Sequence, residues 1–500
     1  KQKKKTHVGY YLIAEGSHIL WQELTGKRKK VLTNHQKIKI AISLLAILTI
    51  LSVSLLSIYF YRQTSSLLLT IVLAILLLIP LQTILVQLFQ YLLGKLVKPK
   101  PIPKLDFEAR IPKEAATFVV IPTILNSKEK VKKLMQNLET YYFANQSENL
   151  YFALLGDCTA GKNEKEPFDE EVIEAGIEEA KRLNSMYPDD TFPKFHFLYR
   201  KRTWNAKEEC YLGWERKRGL LNQFNEYLLG KTKNEFLANT LEDVKQIPVI
   251  PYIITLDADT RLCFNTGLEL IGSMAHILNT PILNKRKDLV ISGHALIQPR
   301  VGISLQEVQK SLFTKIYAGS GGKDAYTNAI SDIYQDNFEE GIFTGKGIYD
   351  VCVFSTVLNQ EIPENTVLSH DLLEGSYLRC GLASDIMLMD GYPPNYNSFK
   401  ARLHRWIRGD WQILRWLTGT IINKKGEKKK NPLTPLSKYK IFDNLLRSLQ
   451  EPMVMISLIF LMIVKLFYKV SIGPIVTVLI LSVLMPTVLE IVNRIVFRKE

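Results

Sequence analysis

The chain has 500 residues, a formal net charge of +15 and 47% hydrophobic residues, so it can bury a large core and need not form a single domain. Its mean hydropathy of +0.01 is high for a chain with 23% charged residues, because the apolar residues are concentrated in blocks. The 5 cysteines form no CxxC pair, so the sequence predicts neither a disulfide framework nor a zinc site.

Two apolar blocks near the amino terminus, residues 40–61 and 67–93, predict membrane-spanning helices. Each is long enough to cross a hydrocarbon core of about 30 Å. Basic residues flank the pair on the outside, whereas the hairpin between them holds only Arg62. The flanking residues are Lys27, Arg28, Lys29, Lys30, Lys37, Lys39, Lys95, Lys98 and Lys100. The positive-inside rule therefore predicts that the large central region is cytoplasmic.

The net charge of +15 is also explained by a membrane location, since positive-inside bias and contact with an anionic leaflet suffice to account for it. No basic and aromatic module stands out, so nucleic acid is not a predicted partner. Because the chain starts at Lys1, without Met or a cleavable signal peptide, we expect it to be a piece of a longer protein.

The central region alternates buried strands with helical patterns. Strands are predicted at TFVVIP (117–122), YFALLGD (ending at Asp157), FHFLYR (195–200) and IPVIPYIITLDAD (247–259), with a helix at 169–183. This alternation predicts an α/β fold with a doubly wound, mostly parallel sheet. No GxGxxG follows the first strand, so the dinucleotide-binding fingerprint is lacking.

Carboxylates stand where two of these strands end, Asp157 after one and Asp257 with Asp259 after another. The carboxyl ends of parallel strands meet at one edge of a sheet, where ligands bind. Simple turn chemistry would also explain acids there. An EF-hand is excluded, because its glycine and glutamate positions hold Leu262 and Leu268. A DxD that holds a divalent ion on a phosphorylated donor remains.

Two later motifs extend this inventory. SHDLLEG contains Asp371 and Glu374, and RLHRWIRGDWQ contains Arg402, Arg405, Trp406 and Arg408, as the sequence shows. A nucleotide-sugar transferase needs such a set: a metal-binding acid, a base for the acceptor hydroxyl and cations for the leaving diphosphate.

The carboxyl-terminal region predicts further membrane helices. Residues 434–449 alternate apolar and basic residues at helical spacing, as is typical of an interfacial helix. Residues 453–467 and 475–496 predict a second pair of spans. The predicted domains are a cytoplasmic segment 1–36, transmembrane helices 37–97, a cytoplasmic domain 98–430, an interfacial helix 431–450 and transmembrane helices 451–500.

The order IPT, GDC, KRGLLN, DAD, QPR, FTGKG, HDLLEG and RLHRW resembles the membrane-embedded, processive family 2-like glycosyltransferases of GT-A fold. The longer stretches HVGYYLI, GWERKRG, SDIYQDNFEEGIFTGKGIYDV, PENTVLSHDLLEG and HRWIRGDWQ resemble the glycosyltransferase domain of cyclic β-1,2-glucan synthases, from His7 to the last spans. Arg402 stands where the QxxRW motif of the wider family has Gln.

The resemblance implies an inverting transfer of glucose from UDP-glucose to the 2-hydroxyl of a growing β-1,2-glucan at the bacterial inner membrane. It implies Asp371 as the general base, Arg405 on the pyrophosphate and Trp406 stacked on the acceptor sugar. Implied donor contacts are Thr123, Asp157, Lys217, Asn222, Asp257, Asp259, Arg402 and Arg408, with Mg²⁺ or Mn²⁺ on Asp259 and Asp257. Phe343, Thr344, Gly345, Lys346 and Gly347 are the implied acceptor loop. The implied partners are UDP-glucose, the glucan chain, the lipid bilayer and the remaining domains of a longer polypeptide.

Three alternatives remain open. The metal and base residues do not specify which hydroxyl attacks, so a related synthase of β-1,3 or β-1,4 linkage fits the same motifs. A non-catalytic membrane scaffold is the alternative outside the enzymes. Arg405 and Arg408 could also be interfacial arginines beside the nearby tryptophans. Full-length cyclic glucan synthases carry more sequence on the amino side and a glycoside-phosphorylase-like region after the membrane spans. If chain length or ring closure depends on these regions, the present chain would make linear polymer or no polymer.

Overall fold

The structure is a computed structural model that describes residues 2–14, 16–26, 32–97, 99–108, 110–189, 191–242, 247–318, 330–367 and 370–496. Lys27, Arg28, Lys29, Lys30 and Lys98, which contribute to the predicted orientation, lie outside the described residues. The chain divides into two compact units. Unit 1 comprises residues 1–29, 100–412 and 419–432, and unit 2 comprises residues 30–99, 413–418 and 433–500.

The strands are β1 Thr117–Ile124, β2 Leu150–Asp157, β3 Phe195–Arg200, β4 Thr203–Asn205, β5 Cys210–Leu212, β6 Phe236–Asn239, β7 Tyr252–Thr255, β8 Arg261–Leu262, β9 Ile282–Leu283, β10 Val290–Ser292, β11 Leu296–Ile303, β12 Gly347–Asp350, β13 Gly381–Asp390, β14 Thr420–Ile422 and β15 Lys428–Lys430. The helices are α1 Gln2–Lys5, α2 Val8–Ile13, α3 Ser17–Thr25, α4 Asn34–Thr64, α5 Leu67–Leu96, α6 Lys128–Ala144, α7 Phe168–Met186, α8 Arg216–Leu228, α9 Thr266–Ala275, α10 Leu305–Val308, α11 Leu312–Tyr317, α12 Ile330–Phe338, α13 Val351–Leu358, α14 Asp371–Tyr377, α15 Tyr396–Gln412, α16 Pro435–Phe467 and α17 Gly473–Val496. Short 3₁₀ helices occupy Lys113–Ala115, Ile277–Asn279 and Ile413–Leu417.

Unit 1 is built on a nine-stranded sheet of order β6-β3-β2-β1-β7-β12-β11-β13-β8. The four strands β3, β2, β1 and β7 are mutually parallel, and every residue of β2 is buried. Continuous apolar runs of this kind are expected for strands covered on both faces. The predicted α/β fold is confirmed.

The strand before the aspartate pair is shorter than predicted. The sequence favoured a strand from residue 247, whereas β7 covers only Tyr252–Thr255. Pro248 and Pro251 precede it, and proline has no N–H to donate to a sheet ladder, so pairing begins after them.

The sequence analysis did not predict the strands that continue the sheet beyond β7. β12 lies between β7 and β11 and is antiparallel to both. Its first residue, Gly347, pairs with Thr255 and has φ +148°, and a Cβ there would come within 2.3 Å of the Ile297 carbonyl oxygen. Only glycine permits this approach. β12 therefore brings the FTGKG loop to the carboxyl end of β7.

The amino-terminal helices α1–α3 belong to unit 1. The buried Lys4 ammonium donates to the Leu278 carbonyl at 2.7 Å, and the His7 ring meets the His276 ring edge-on at 5.3 Å between centroids. This segment, predicted as a separate region, packs on the central domain.

Within the part of the chain that the structure describes, unit 2 contains four helices that are long and apolar enough to cross a membrane, Asn34–Thr64, Leu67–Leu96, Pro435–Phe467 and Gly473–Val492. They correspond to the four predicted spans. The predicted interfacial helix is helical too, but it is continuous with the third span in α16. Thr434 caps that helix, Pro435 occupies its first turn, and the helix continues through Pro452.

Hydrogen bonds join the four long helices of unit 2. The Thr49 hydroxyl donates to Gln82 at 2.7 Å, linking α4 with α5. The Thr83 hydroxyl donates to Gln450 at 2.8 Å, and the Gln450 amide donates to Ser482 at 2.9 Å, linking α5, α16 and α17. Polar side chains commonly join helices in this way inside membranes.

A buried ion pair fastens α7 to the end of β3. The Asp169 carboxylate accepts bonds from both terminal nitrogens of Arg202 and, at 2.8 Å, from the Tyr199 hydroxyl. Burial alone would raise the pKa of Asp169, but these hydrogen bonds lower it. Because Arg202 is only 1% exposed, losing this partner would leave a buried charge uncompensated.

We expect Asp169→Asn to lower the free energy of unfolding by about 3 kcal/mol, the cost typical of breaking a buried pair. Denaturant unfolding of the detergent-solubilised protein measures the change. Glu170→Gln, at the exposed neighbouring position, is the matched control and should change stability by less than about 0.5 kcal/mol. Equal effects of the two substitutions would contradict a structural role for the buried pair.

Candidate active site

Unit 1 contains a cleft of about 920 Å³ at the carboxyl end of β7. Its charged lining residues are Lys133, Arg216, Lys217, Arg261, Lys310, Lys346, Arg402, Arg405 and Arg408 among the cations and Asp257, Asp259, Glu307 and Asp371 among the acids. Cations outnumber carboxylates, so the potential in the cleft favours an anionic ligand.

Asp257 follows β7 and is clamped between two lysines. The Lys217 ammonium, from the first turn of α8, donates to its Oδ1 at 2.5 Å, and the Lys346 ammonium lies 3.4 Å from its Oδ2. Burial alone would raise the pKa of Asp257, but the two ammonium groups outweigh it and hold the pKa at about 2. Asp257 is therefore ionised throughout the physiological pH range.

The Lys346 side chain points toward the carboxylates of Asp257 and Asp390. Its ammonium is buried and pairs with Asp390 as well as with Asp257. Burial would lower the pKa of Lys346, but the two carboxylates raise it, so the side chain carries a fixed positive charge. Asp390 ends β13 and also accepts a 2.6 Å bond from the Thr260 hydroxyl.

Asp259 differs from Asp257 in its surroundings. Burial and the neighbouring carboxylates of Asp390 and Asp257 raise the pKa of Asp259, and Lys346 and Arg402 offset this only in part. The cations of the cleft therefore do not fully compensate the negative charge of Asp259, and we call this carboxylate under-neutralised. A hard, oxygen-preferring divalent cation such as Mg²⁺ or Mn²⁺ fits that need. At Asp257, by contrast, both carboxylate oxygens already contact ammonium groups.

Asp371 begins α14 and lines the same cleft with 31% of its side chain exposed. Gly345 faces it at φ +90°, where an added Cβ would lie 3.1 Å from the Asp371 Oδ2. The Gly345 carbonyl also accepts a 2.8 Å bond from Lys217. Burial raises the pKa of Asp371, opposed by the positive charges of His370 and Lys217. A carboxylate with a raised pKa is a stronger base.

Helix α15 supplies the arginines of the RLHRW motif. Arg402, Arg405, Trp406 and Arg408 all line the cleft. The Arg402 guanidinium lies over the Trp406 ring, 4.7 Å from its centroid, and 3.7 Å from Asp390. Arg402 is thus held between an aromatic face and a carboxylate.

The predicted acceptor loop, residues 343–347, lies partly in the cleft and partly in the core. Thr344 lines the cleft, with its N–H donating to the buried Gln298 at 2.6 Å and its hydroxyl donating to the same oxygen at 3.1 Å. Phe343 is 4% exposed, so its side chain anchors the loop in the core. With Lys217 and Asp371, Phe343 and Gly345 line a small recess next to the cleft.

The cleft lining does not include three predicted donor residues, Thr123, Asp157 and Asn222. Asp157 is buried and bonds Arg200 in a bidentate pair, at 2.6 Å to Nε and 2.7 Å to Nη2. Thr123 lies near the end of β1, and Asn222 lies on α8; both are partly exposed. Their contacts with a nucleotide stay predictions.

Asp390 is the main residue that the sequence analysis missed. It is the last residue of β13, in MLMDGYPP, and an acid at the end of an apolar run is the signal that also identified Asp257 and Asp259 as candidates. Because β13 was not predicted, Asp390 could not be assigned to the end of a strand in the sheet. Asp385, on the same strand, pairs with Lys104 at 2.9 Å and is not among the residues that line the cleft.

Comparison with known proteins gives one relationship that covers most of the chain. No protein-family model matches the sequence. The cyclic beta-(1,2)-glucan synthase NdvB of Rhizobium meliloti (strain 1021) is 40% identical over 364 residues, which are 72% of this chain. The chain covers only 12% of that synthase. The resemblance carried by the motifs is thereby confirmed: the chain is related, over most of its length, to part of a cyclic β-1,2-glucan synthase.

Proposed function

We propose that this chain is a membrane-integrated glycosyltransferase that transfers glucose from UDP-glucose to the 2-hydroxyl of a growing β-1,2-glucan, with inversion at the anomeric carbon. The observation that carries the proposal is the meeting of Asp257, Asp259 and Asp371, from distant parts of the sequence, in one basic cleft. The relationship to the Rhizobium cyclic beta-(1,2)-glucan synthase supports glucan synthesis. The apolar helices and the basic flanks of the first two support a place in the inner membrane with the cleft on the cytoplasmic side.

The cations of the cleft would bind the donor diphosphate. Expelling UDP develops negative charge, which Lys217, Arg402 and Arg405 would stabilise because they already line the cleft. A bound Mg²⁺ or Mn²⁺, held chiefly by Asp259, would add Lewis-acid stabilisation of the same charge. Asp257 would keep Lys217 and Lys346 in place.

Asp371 would remove the proton from the attacking hydroxyl. A sugar hydroxyl is a weak nucleophile at neutral pH, and a positioned carboxylate accelerates its reaction by about 10² to 10⁴. Attack from the face opposite the leaving diphosphate inverts the anomeric carbon in one displacement, so a single base suffices. Trp406 would stack on the acceptor sugar at the edge of the cleft.

The first experiment is incubation of the purified protein with radiolabelled UDP-glucose and Mn²⁺ or Mg²⁺, followed by linkage analysis of the product. We expect a metal-dependent, 1,2-linked glucan. A 1,3- or 1,4-linked product would replace the linkage in the proposal, and a protein that neither binds UDP nor releases it from UDP-glucose would favour the scaffold.

We predict that Asp371→Asn lowers transfer by about 10² to 10⁴ while UDP affinity stays within a few-fold, because the base acts on the acceptor. The matched control is Asp385→Asn, since Asp385 lies at an exposed site outside the cleft. Initial rates and UDP titrations measure both quantities. Near-normal turnover by Asp371→Asn would refute the assignment of the base.

We predict that Asp259→Asn weakens Mn²⁺-dependent UDP binding by roughly tenfold or more, since an amide is a poorer ligand than a carboxylate. Titration with UDP in the presence and absence of Mn²⁺, together with the Mn²⁺ electron paramagnetic resonance signal, measures this without any turnover. Asp385→Asn again serves as the control. An unchanged difference between the two titrations would remove Asp259 from the metal site.

A further inference from the structure

A buried ion pair stands directly behind Asp371. His370 is 6% exposed and Glu374 is 2% exposed, and the His370 Nδ1 lies 2.7 Å from the Glu374 Oε1. The two residues are four positions apart, so they span the first turn of α14, which Asp371 begins. None of the roles proposed so far uses this pair.

The same imidazole nitrogen also faces Asp371. The His370 Nδ1 lies 3.8 Å from the Asp371 Oδ1. This nitrogen therefore lies beside two carboxylates, one fully buried and one that lines the cleft. Little water can screen the interaction, so it is stronger than an exposed pair would be.

The charges around His370 favour its protonated form. Burial lowers the pKa of His370, but Glu374 and Asp371 outweigh this effect and raise it above its ordinary value. Arg218, on the neighbouring helix α8, acts in the opposite direction, and Lys217 of the same helix acts on Asp371. Glu374 and Asp257 also act on Asp371, and both disfavour its ionisation.

We propose that His370, held by Glu374, is a positioning residue that fixes the Asp371 carboxylate and keeps it ionised for proton abstraction; this inference rests on the proposed function. The backbone places Asp371 at the first position of a helix, where its side chain can adopt several rotamers. A neighbouring cation anchored to a buried glutamate selects the rotamer that faces the cleft.

His370, Asp371 and Glu374 are also residue types that bind metal ions, and their ligand atoms lie within 4.8 Å of one another. The direct approach of the His370 Nδ1 to the Glu374 Oε1, at 2.7 Å, favours an ion pair, because opposite charges this close in a buried site attract each other strongly. A cation held there would also occupy the carboxylate that the acceptor needs.

The sign of the pH effect follows from the charges. Transfer requires ionised Asp371, so its rate falls as pH decreases through the pKa of that group. The imidazolium favours the carboxylate, and an opposite charge at this separation typically lowers a carboxyl pKa by about 1 to 3 units. Removing the imidazolium should move the acidic limb of the pH–rate profile to higher pH.

The decisive experiment compares pH profiles of kcat/KM for UDP-glucose in wild type, His370→Gln and His370→Lys. In His370→Gln we expect the acidic limb to move up by about one pH unit and kcat at neutral pH to fall about tenfold, with KM for UDP-glucose unchanged. His370→Lys keeps a cation beside Glu374 and should restore the wild-type limb. His18→Gln, at an exposed position on α3, is the control for histidine loss.

Glu374→Gln provides a second, independent readout. It removes the anchor of the imidazole, so we expect kcat to fall about tenfold with KM for UDP-glucose unchanged. The limb position is not diagnostic for this variant, because Glu374 itself raises the pKa of Asp371. If His370→Gln fails to fold, as judged by UDP binding, the Glu374→Gln and His370→Lys variants decide.

If His370 had a purely structural role, its substitution would lower the stability of the fold and leave the acidic limb of the pH–rate profile unshifted. Unshifted limbs in His370→Gln, or full kcat in Glu374→Gln, would overturn the inference while glucan synthesis by the wild-type protein still stood. Absence of transfer by the wild type would instead refute the proposed function, so the two failures are distinguishable.

Discussion

The cleft depends on a chain of alternating charges in which Lys346 is the central member. Its buried ammonium contacts Asp257 on one side and Asp390 on the other, and Asp257 in turn holds Lys217. A buried charge is tolerated only when it is paired, and removing one partner costs several kcal/mol because the other is left uncompensated. These four side chains therefore form one electrostatic unit, and Asp259, the second acid after β7, is left under-neutralised.

This unit depends on the placement of β12 between β7 and β11. The strand enters the sheet only because Gly347 lacks a Cβ, and its entry carries the FTGKG loop over the end of β7. Lys346 then meets the acids proposed for the donor, while Gly345 faces Asp371. One loop of five residues thus lies against both Asp257 and Asp371, which keeps them within one cleft.

The relationship to the Rhizobium synthase concerns a fraction of a much longer protein, since the chain covers 12% of its length. What this chain contains is a basic cleft with separately tuned carboxylates and, in the other unit, apolar helices joined by hydrogen bonds. In the displacement that we propose, a paired Asp257, an under-neutralised Asp259 and an Asp371 with a raised pKa would serve three different tasks.

The sequence by itself determined the local elements and their burial. Its apolar runs predicted the four long helices, the strand 195–200 and the α/β alternation, because periodicity reports which side chains must leave water. It also placed Asp257 and Asp259 at a strand end and singled out Asp371. Which charged side chains meet could be read only from the tertiary structure. Arg200 pairs with Asp157, and Lys346 pairs with Asp257 and with Asp390, which was not predicted. His370 lies beside Asp371. The contacts of Arg200 and Lys346 join residues far apart in sequence, and they depend on strand order and chain crossings that local pattern does not encode.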